Sequence, residues 1–134
     1  MRGIAAVVAA SLFGLAACGG GGGGGGGGPT APPTPDPTPS ASVTITITTA
    51  GVDKKQVEIP VGGRVAFVNN DSSAHEMSSD PHPIHTDCAP VNQVGALAPG
   101  RTGVTGALNI ARTCGFHDHG LPTNAELQGT IVVR

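Results

Sequence analysis

The sequence predicts an all-β fold, a small sandwich of short strands. Apolar and polar side chains alternate in several runs, most regularly in residues 43–48, and this period of two is typical of half-buried strands. No stretch of useful length repeats at the helical period of about 3.6 residues. Only 2 % of the residues are aromatic, so we expect a core built from Val, Ile, Leu and Ala.

The predicted strands are separated by residues that favour turns. Residues 57–59 alternate like residues 43–48 and run into a Pro-Val-Gly-Gly turn. Residues 64–69 carry apolar side chains on both faces and end in a polar Asn-Asn-Asp-Ser-Ser turn. Further strands are expected at residues 102–110, 113–116 and 129–133.

One long stretch, residues 78–99, is polar and proline-rich and follows neither period. A loop of about twenty residues inside a compact domain is usually functional. We therefore expect this loop to contribute to a site.

The N-terminus has the features of a bacterial export signal. Arg2 precedes an apolar segment, residues 4–17, which is too short for a transmembrane helix. Leu15-Ala16-Ala17-Cys18 resembles the lipobox, in which cleavage precedes the cysteine and the thiol carries lipid. We expect a lipoprotein signal peptide at 1–17, and an exported protein that acylated Cys18 anchors to the lipid membrane at the periplasmic or cell-surface face of the envelope.

Residues 18–40 are expected to form a disordered tether, Gly-rich first and then Pro/Thr-rich, because neither composition can bury a core. The folded domain is then residues 41–134. Seven Lys and Arg stand against nine Asp and Glu, a net charge of −2. No basic patch indicates nucleic acid as a partner.

All five histidines fall in one third of the chain, at positions 75, 82, 85, 117 and 119. Imidazoles concentrated in this way favour a metal site. His117 and His119 would project to the same side if their strand continues that far. Each histidine alone is equally well explained as an ordinary loop residue, but together they indicate at least one metal ion.

The domain resembles the cupredoxin family at both ends. Residues 59–71, Ile-Pro-Val-Gly-Gly-Arg-Val-Ala-Phe-Val-Asn-Asn-Asp, followed by His75, resemble that family's strand, turn, strand and first copper histidine. Residues 127–133, Leu-Gln-Gly-Thr-Ile-Val-Val, resemble its Met-x-Gly-x-Val-x-Val closing strand. The resemblance covers most of residues 41–134. It implies a Greek-key β-sandwich with a copper cofactor, zinc being the alternative metal, and electron transfer to a redox partner protein.

The resemblance leaves two alignments of the copper ligands. In the first, Cys114 is the thiolate and His117 is the second histidine. In the second, residues 116–119 lie over the Phe-His-Cys-His run of multicopper oxidases, and Asp118 stands at the thiolate position. We favour the second, because it leaves a loop of ordinary length before Leu127, which replaces the axial methionine in both alignments.

We expect metal ligands at His75, His117 and His119, with Asp118, His82 and His85 as weaker candidates and Cys114 only if the first alignment holds. Three or four imidazoles would bind Cu(II) or Zn(II) without the intense colour of a copper–thiolate site.

Cys88 and Cys114 remain once Cys18 carries lipid. Two cysteines left over in an oxidising compartment predict a disulfide. The bond would pin the long loop onto the strand that carries Phe116. The rival interpretation keeps Cys114 as a copper thiolate and Cys88 as a free thiol.

We therefore expect a membrane-tethered, copper-binding cupredoxin-like protein that is not an enzyme and serves electron transfer or copper handling. Two alternatives stay open. Residues 115–120 faintly resemble the Gly-Phe-His-x-His-x-x-Gly motif of copper–zinc superoxide dismutases, although the order of the other ligands differs. The domain could also be a metal-free sandwich that acts as an interaction module.

Overall fold

The computed structural model describes residues 40–134. The predicted signal peptide, the lipidated Cys18 and all but the last residue of the predicted tether lie outside this part. No helix among residues 40–134 is long and apolar enough to cross a membrane.

Nine strands form the described part of the chain: β1 (Val43–Thr48), β2 (Gly51–Val52), β3 (Gln56–Ile59), β4 (Val65–Asn69), β5 (His75–Ser79), β6 (Gly95–Leu97), β7 (Thr102–Val104), β8 (Arg112–Asp118) and β9 (Gly129–Val133). Two short 3-10 helices, Ala89–Gln93 and Ala125–Leu127, connect them. The prediction of an all-β sandwich is confirmed.

The strands form two sheets between which the chain crosses repeatedly. One sheet has the order β2-β1-β4-β7 and the other the order β3-β9-β8-β5-β6. β1 pairs in parallel with β4, and β3 in parallel with β9, while the remaining pairs are antiparallel. This topology places β8 and β5 side by side in the middle of the five-stranded sheet.

The core lies between the sheets and is mostly aliphatic, as the composition predicts. Its two aromatic rings, Phe67 on β4 and Phe116 on β8, meet edge to face with centroids 5.2 Å apart. Ile45, Ile131 and Val65 are fully buried around them. β8 is therefore held in place from the core side by close packing.

One predicted strand is shorter in the structure. We expected a strand over residues 102–110, but β7 ends at Val104. Beyond it the backbone amides bond elsewhere, with Gly106 N–H donating to the carbonyl of Pro90 and Leu108 N–H donating to that of Gly63. The chain leaves the ladder because these partners lie outside it.

β5 and β6 were not expected as strands. Residues 78–99 were predicted to be a loop, yet they contain the end of β5, a 3-10 helix and β6. β5 reads His-Glu-Met-Ser-Ser, with Met77 as its only apolar side chain. It is nevertheless an inner strand of its sheet, between β8 and β6, and two of its buried polar residues, His75 and Ser79, make side-chain hydrogen bonds. β8 is also longer than the predicted residues 113–116, because it continues to Asp118.

Candidate metal centre

β8 presents different chemistry on its two faces. Cys114, Phe116 and Asp118 alternate toward the interior and are buried. His117 points to the other face, beside Ser78 on β5, and is also buried. The strand thus separates an inner site at Asp118 from an outer site at His117.

The inner site is a histidine held between two carboxylates. The Nδ1 atom of His75 lies 2.5 Å from Oδ2 of Asp118, and its Nε2 atom lies 3.0 Å from Oδ2 of Asp71. The backbone N–H of Gly120 donates to the second oxygen of Asp118 at 2.8 Å. Each group therefore already has its partners within the protein.

These contacts determine the protonation of His75. Burial alone would disfavour the charged ring, but the hydrogen bonds to Asp118 and Asp71 outweigh it and raise the pKa of His75 above its ordinary value of 6.5. The bond to His75 also lowers the pKa of Asp71. An ionised carboxylate only accepts hydrogen bonds, so both ring nitrogens donate. His75 in this arrangement has no lone pair for a metal.

The outer site brings together the other four histidines. The segment between β5 and the first 3-10 helix, residues 80–88, is called the histidine loop here because it carries His82 and His85. Their rings lie over the end of β8, where His117 and His119 are. Five pairs among these four rings have centroids 4.8–5.5 Å apart. We call this group the four-histidine cluster.

Three members of the cluster can direct nitrogen atoms at a common point. One ligand atom each from His82, His85 and His117 lie within 4.8 Å of one another. Nδ1 of His119 lies 3.2 Å from Nε2 of His85, within hydrogen-bond distance, so the fourth ring adjoins that of His85. Metal–nitrogen bonds of about 2.0–2.1 Å would need these atoms to approach somewhat further. His82 and His119 are exposed, and their side chains have space to do so.

His117 is oriented by Asp80. Its Nδ1 atom lies 2.7 Å from Oδ1 of Asp80, which is half-exposed and accepts the N–H. In the neutral ring, Nε2 then carries the lone pair. This Nε2 atom is the one buried side-chain nitrogen or oxygen among residues 40–134 without a hydrogen-bond partner. Metal-binding histidines typically donate one ring N–H to a carboxylate, a backbone carbonyl or water and bind the metal through the other nitrogen, and His117 fits this arrangement.

The surroundings of His85 favour the neutral form of its ring. Burial lowers the pKa of His85, and the neighbouring rings of His117, His119 and His82 lower it further, while Glu76 acts in the opposite direction. A neutral imidazole is the form that binds metal. The lowered pKa of His85 therefore favours metal binding near neutral pH.

The histidine loop has a defined internal structure. The carbonyl of His85 accepts hydrogen bonds from Ser79 Oγ at 2.9 Å and from Asn92 Nδ2 at 2.8 Å. His85 itself has a left-handed backbone, with φ at 52°. Its N–H donates to the carbonyl of Pro81 at 2.8 Å. This network connects the backbone at His85 to β5 and to the first 3-10 helix.

Cys88 and Cys114 form a disulfide, as predicted. The bond links the end of the histidine loop to β8. A cysteine in a disulfide has no thiolate for copper, which the first alignment would require of Cys114. Asp118 lies four residues after Cys114 on the same inner face of β8, as the second alignment expects.

The structure does not bring the three predicted ligands together. His117 and His119 lie in the cluster, but His75 lies on the opposite face of the sheet with Asp118. His82 and His85, the weaker candidates, are the residues that join His117. The assignment of ligands stays a prediction. The grouping differs because His75 shares one face of β5 with Met77, which pairs with Asp118, whereas Ser78 on the other face pairs with His117.

Asp80 is a site residue that the sequence analysis missed. The sequence indicates its role only in part, because Asp80 directly precedes Pro81-His82 in a loop already expected to be functional. Nothing local indicates that its carboxylate reaches a histidine 37 positions later. Gly115 was missed as well, although the carboxylate of Asp80 packs where a Cβ at this position would be.

No family model and no curated protein matches the sequence. Solved structures do resemble the described part. A purple cupredoxin from Nitrosopumilus maritimus is 19 % identical and aligns over 69 % of this chain and 99 % of its own, with a TM-score of 0.53. An auracyanin from Roseiflexus castenholzii is 18 % identical over 71 % of this chain and 99 % of its own, with a TM-score of 0.52.

An amicyanin variant in its Cu(I) form also matches, with 15 % identity over 74 % of this chain and 87 % of its own and a TM-score of 0.53. Identities this low carry the fold and nothing further. Residues 40–134 have the cupredoxin fold, in agreement with the resemblance found in the sequence.

Proposed function

We propose that this protein binds copper at the bacterial cell envelope through the four-histidine cluster and serves in copper handling. The observation that supports this most directly is the Nε2 atom of His117. It is buried, it has no hydrogen-bond partner, and its ring is oriented by Asp80. The residues that would hold the metal are His82, His85, His117 and His119.

An unpartnered buried nitrogen needs a physical reason, because it costs roughly 1–3 kcal/mol. A metal ion at the cluster supplies one, since it accepts the lone pair of His117. The rings of His82 and His85 surround the same position and offer further lone pairs. Asp80 adds negative charge next to the cluster, which favours a bound cation.

The donor set favours copper among the common divalent metals. Imidazole nitrogen suits copper and zinc, and affinity for a given site rises toward Cu(II). The cluster contains no thiolate or thioether, because Cys114 is in the disulfide and Met77 is in the core. We therefore expect a weakly coloured Cu(II) complex without the intense band of a copper–thiolate site.

The exposure of two of the four histidines favours copper handling. His82 and His119 are exposed, while His117 is buried. A metal held between them is open to a competing ligand on one side, which suits binding and release. Electron transfer to a redox partner is the second candidate, supported by the cupredoxin fold and by the position of the cluster at the surface. Reversible Cu(II)/Cu(I) voltammetry would favour that candidate over handling.

Copper titration of two matched histidine variants tests the proposal. His117→Ala should lower Cu(II) affinity by more than the 10–100-fold typical of losing an outer-shell partner. His75→Gln also removes one histidine of the five, but affinity should stay within about twofold because His75 is held by carboxylates. Wild-type protein that fails to bind Cu(II) would end the proposal. Loss of binding in His75→Gln alone would move the site to the inner face.

A further inference from the structure

The disulfide joins the two segments that carry the four-histidine cluster. Cys88 closes the histidine loop three residues after His85, and Cys114 precedes His117 by three residues on β8. Cys88 thus belongs to the segment that carries His82 and His85, the loop half of the cluster. Cys114 belongs to the segment that carries His117 and His119, the strand half. No second covalent link connects the two halves except the main chain.

The other attachments of the loop to β8 are single contacts. Asp80 N–H donates to the carbonyl of Gly115 at 3.2 Å, and Asp87 accepts from Gly115 N–H at 3.4 Å. Asp87 also pairs with Arg112, but these side chains are 28 % and 43 % exposed. Exposed ion pairs contribute little to holding two segments together.

Other hydrogen bonds attach the loop to neighbouring elements rather than directly to β8. Those to the carbonyl of His85 come from Ser79 and Asn92, which belong to β5 and the 3-10 helix. The Asp80–His117 contact does reach β8, but it is itself part of the site. The disulfide is therefore the one covalent attachment of the loop to β8.

Burial makes this attachment rigid on the strand side. Cys114 is 0 % exposed and Cys88 is 4 % exposed, and both belong to the hydrophobic core. Cys114 pairs with Ile131 of β9 in the middle of the sheet. Cys114 belongs to a strand inside the sheet and Cys88 to the loop, so breaking the bond removes the covalent link between them.

We propose that the disulfide controls the metal site: the four-histidine cluster binds copper tightly only while Cys88 and Cys114 are bonded, and reduction releases the metal. This inference rests on the proposed function. In the reductive step a dithiol breaks the Sγ–Sγ bond, gives two electrons and two protons to form the two cysteine thiols, and is itself oxidised to a disulfide. The loop half of the cluster then separates from the strand half.

The first test removes the bond without adding thiols. In the full chain, Cys88→Ala/Cys114→Ala should lower Cu(II) affinity at least tenfold, while circular dichroism shows the sandwich still folded. Ile59→Ala is the control for lost stability, because it leaves a cavity in the core. Ile59 pairs with Val133 of β9, which in turn pairs with Arg112 at the start of β8, away from His117. Its Cu(II) affinity should equal that of the wild type.

The second test needs no variant and therefore holds if the double variant does not fold. Both sulfurs are buried, so reduction requires the loop to open first. A metal that binds only the closed form should slow this step by a factor of 1 + [metal]/Kd. With Zn(II), a redox-inert probe of the imidazoles, at ten times its Kd, a phosphine should reduce the bond about tenfold more slowly. The phosphine becomes its oxide, with oxygen from water, whose two protons go to the thiols.

The outcomes separate this inference from the proposed function. Equal Cu(II) affinity in a folded double variant, or equal reduction rates with and without Zn(II), would overturn the inference and leave copper binding intact. Wild-type protein that binds neither metal would overturn both. A tenfold loss of Cu(II) affinity in the double variant, together with slower reduction of the Zn(II)-loaded wild type, would establish that the disulfide controls the metal site.

Discussion

His75 and His117 differ in whether a ring nitrogen remains without a hydrogen-bond partner. Both rings are buried and both contact carboxylates. His75 uses both nitrogens on Asp118 and Asp71, whereas His117 uses one on Asp80. The first residue therefore acts as a buried cation in an ion-paired network, and the second keeps a lone pair for a ligand.

The raised pKa of His75 predicts a particular dependence of stability on pH. The charged ring stabilises the folded state fully below the unfolded pKa of 6.5, and this contribution is lost as pH rises through the raised folded pKa. The free energy of unfolding of metal-free protein, measured with urea between pH 6 and 9, should fall with pH. The fall should be smaller in His75→Gln. Identical slopes in the two proteins would contradict the assignment of charge to His75.

Asp80 should act on the metal through His117. Asp80→Ala removes the acceptor that orients the ring, and we expect Cu(II) affinity to fall about 10–100-fold. Isothermal titration measures the change. Glu58→Ala is the control, because it removes an exposed carboxylate that pairs with Arg134, far from the cluster in sequence and on β3. If both variants lost a similar amount of Cu(II) affinity, the cause would be the change in net charge and not the orientation of His117.

At the scale of elements, β8 and the histidine loop together form the outer site. The loop crosses β8 at Gly115, where the carboxylate of Asp80 occupies the space of a side chain. The disulfide closes a segment whose ends are 26 residues apart, which contributes roughly 3.5 kcal/mol in the chain-entropy model. The strand supplies a rigid base, and the loop supplies the second half of the ligands.

Gly115→Ala should displace Asp80 and thereby weaken the site. The added Cβ would overlap the carboxylate of Asp80, which must then leave His117. Cu(II) affinity should fall about as far as in Asp80→Ala, and the double variant should fall no further, since both changes break one contact. Gly120→Ala is the matched control, because its Cβ would lie 3.5 Å from Asp118, an ordinary contact. Additive losses in the double variant would disprove the shared mechanism.

At the scale of the whole molecule, the proposal places a surface copper site on a sandwich tethered to a membrane. Only the sandwich lies within residues 40–134, and the tether and anchor rest on the sequence. If Cys18 carries lipid, the protein should partition into the detergent phase with membranes. Cys18→Ala should appear in the aqueous phase with unchanged copper affinity. A variant that is processed and anchored like the wild type would contradict the lipobox interpretation.

The sequence by itself determined the fold class and its resemblance to cupredoxins. Alternation in residues 43–48 and the turn at residues 60–63 are local signals, because side-chain period and turn chemistry depend on neighbouring residues. The disulfide also followed from the sequence, since only two cysteines remain after Cys18. β5 was missed because its buried residues are mostly polar, and strand patterns are recognised by their apolar face.

The tertiary structure alone decided which histidines meet. Their count and concentration were visible in the sequence, but their grouping depends on which face of β8 each residue takes and on where the histidine loop crosses it. Asp80 lies 37 positions from His117 and Cys88 lies 26 from Cys114, yet the fold brings each pair into contact. Such contacts depend on sheet order and strand register, which no local pattern encodes. For that reason His75 lies with Asp71 and Asp118, while His117 lies with His82 and His85.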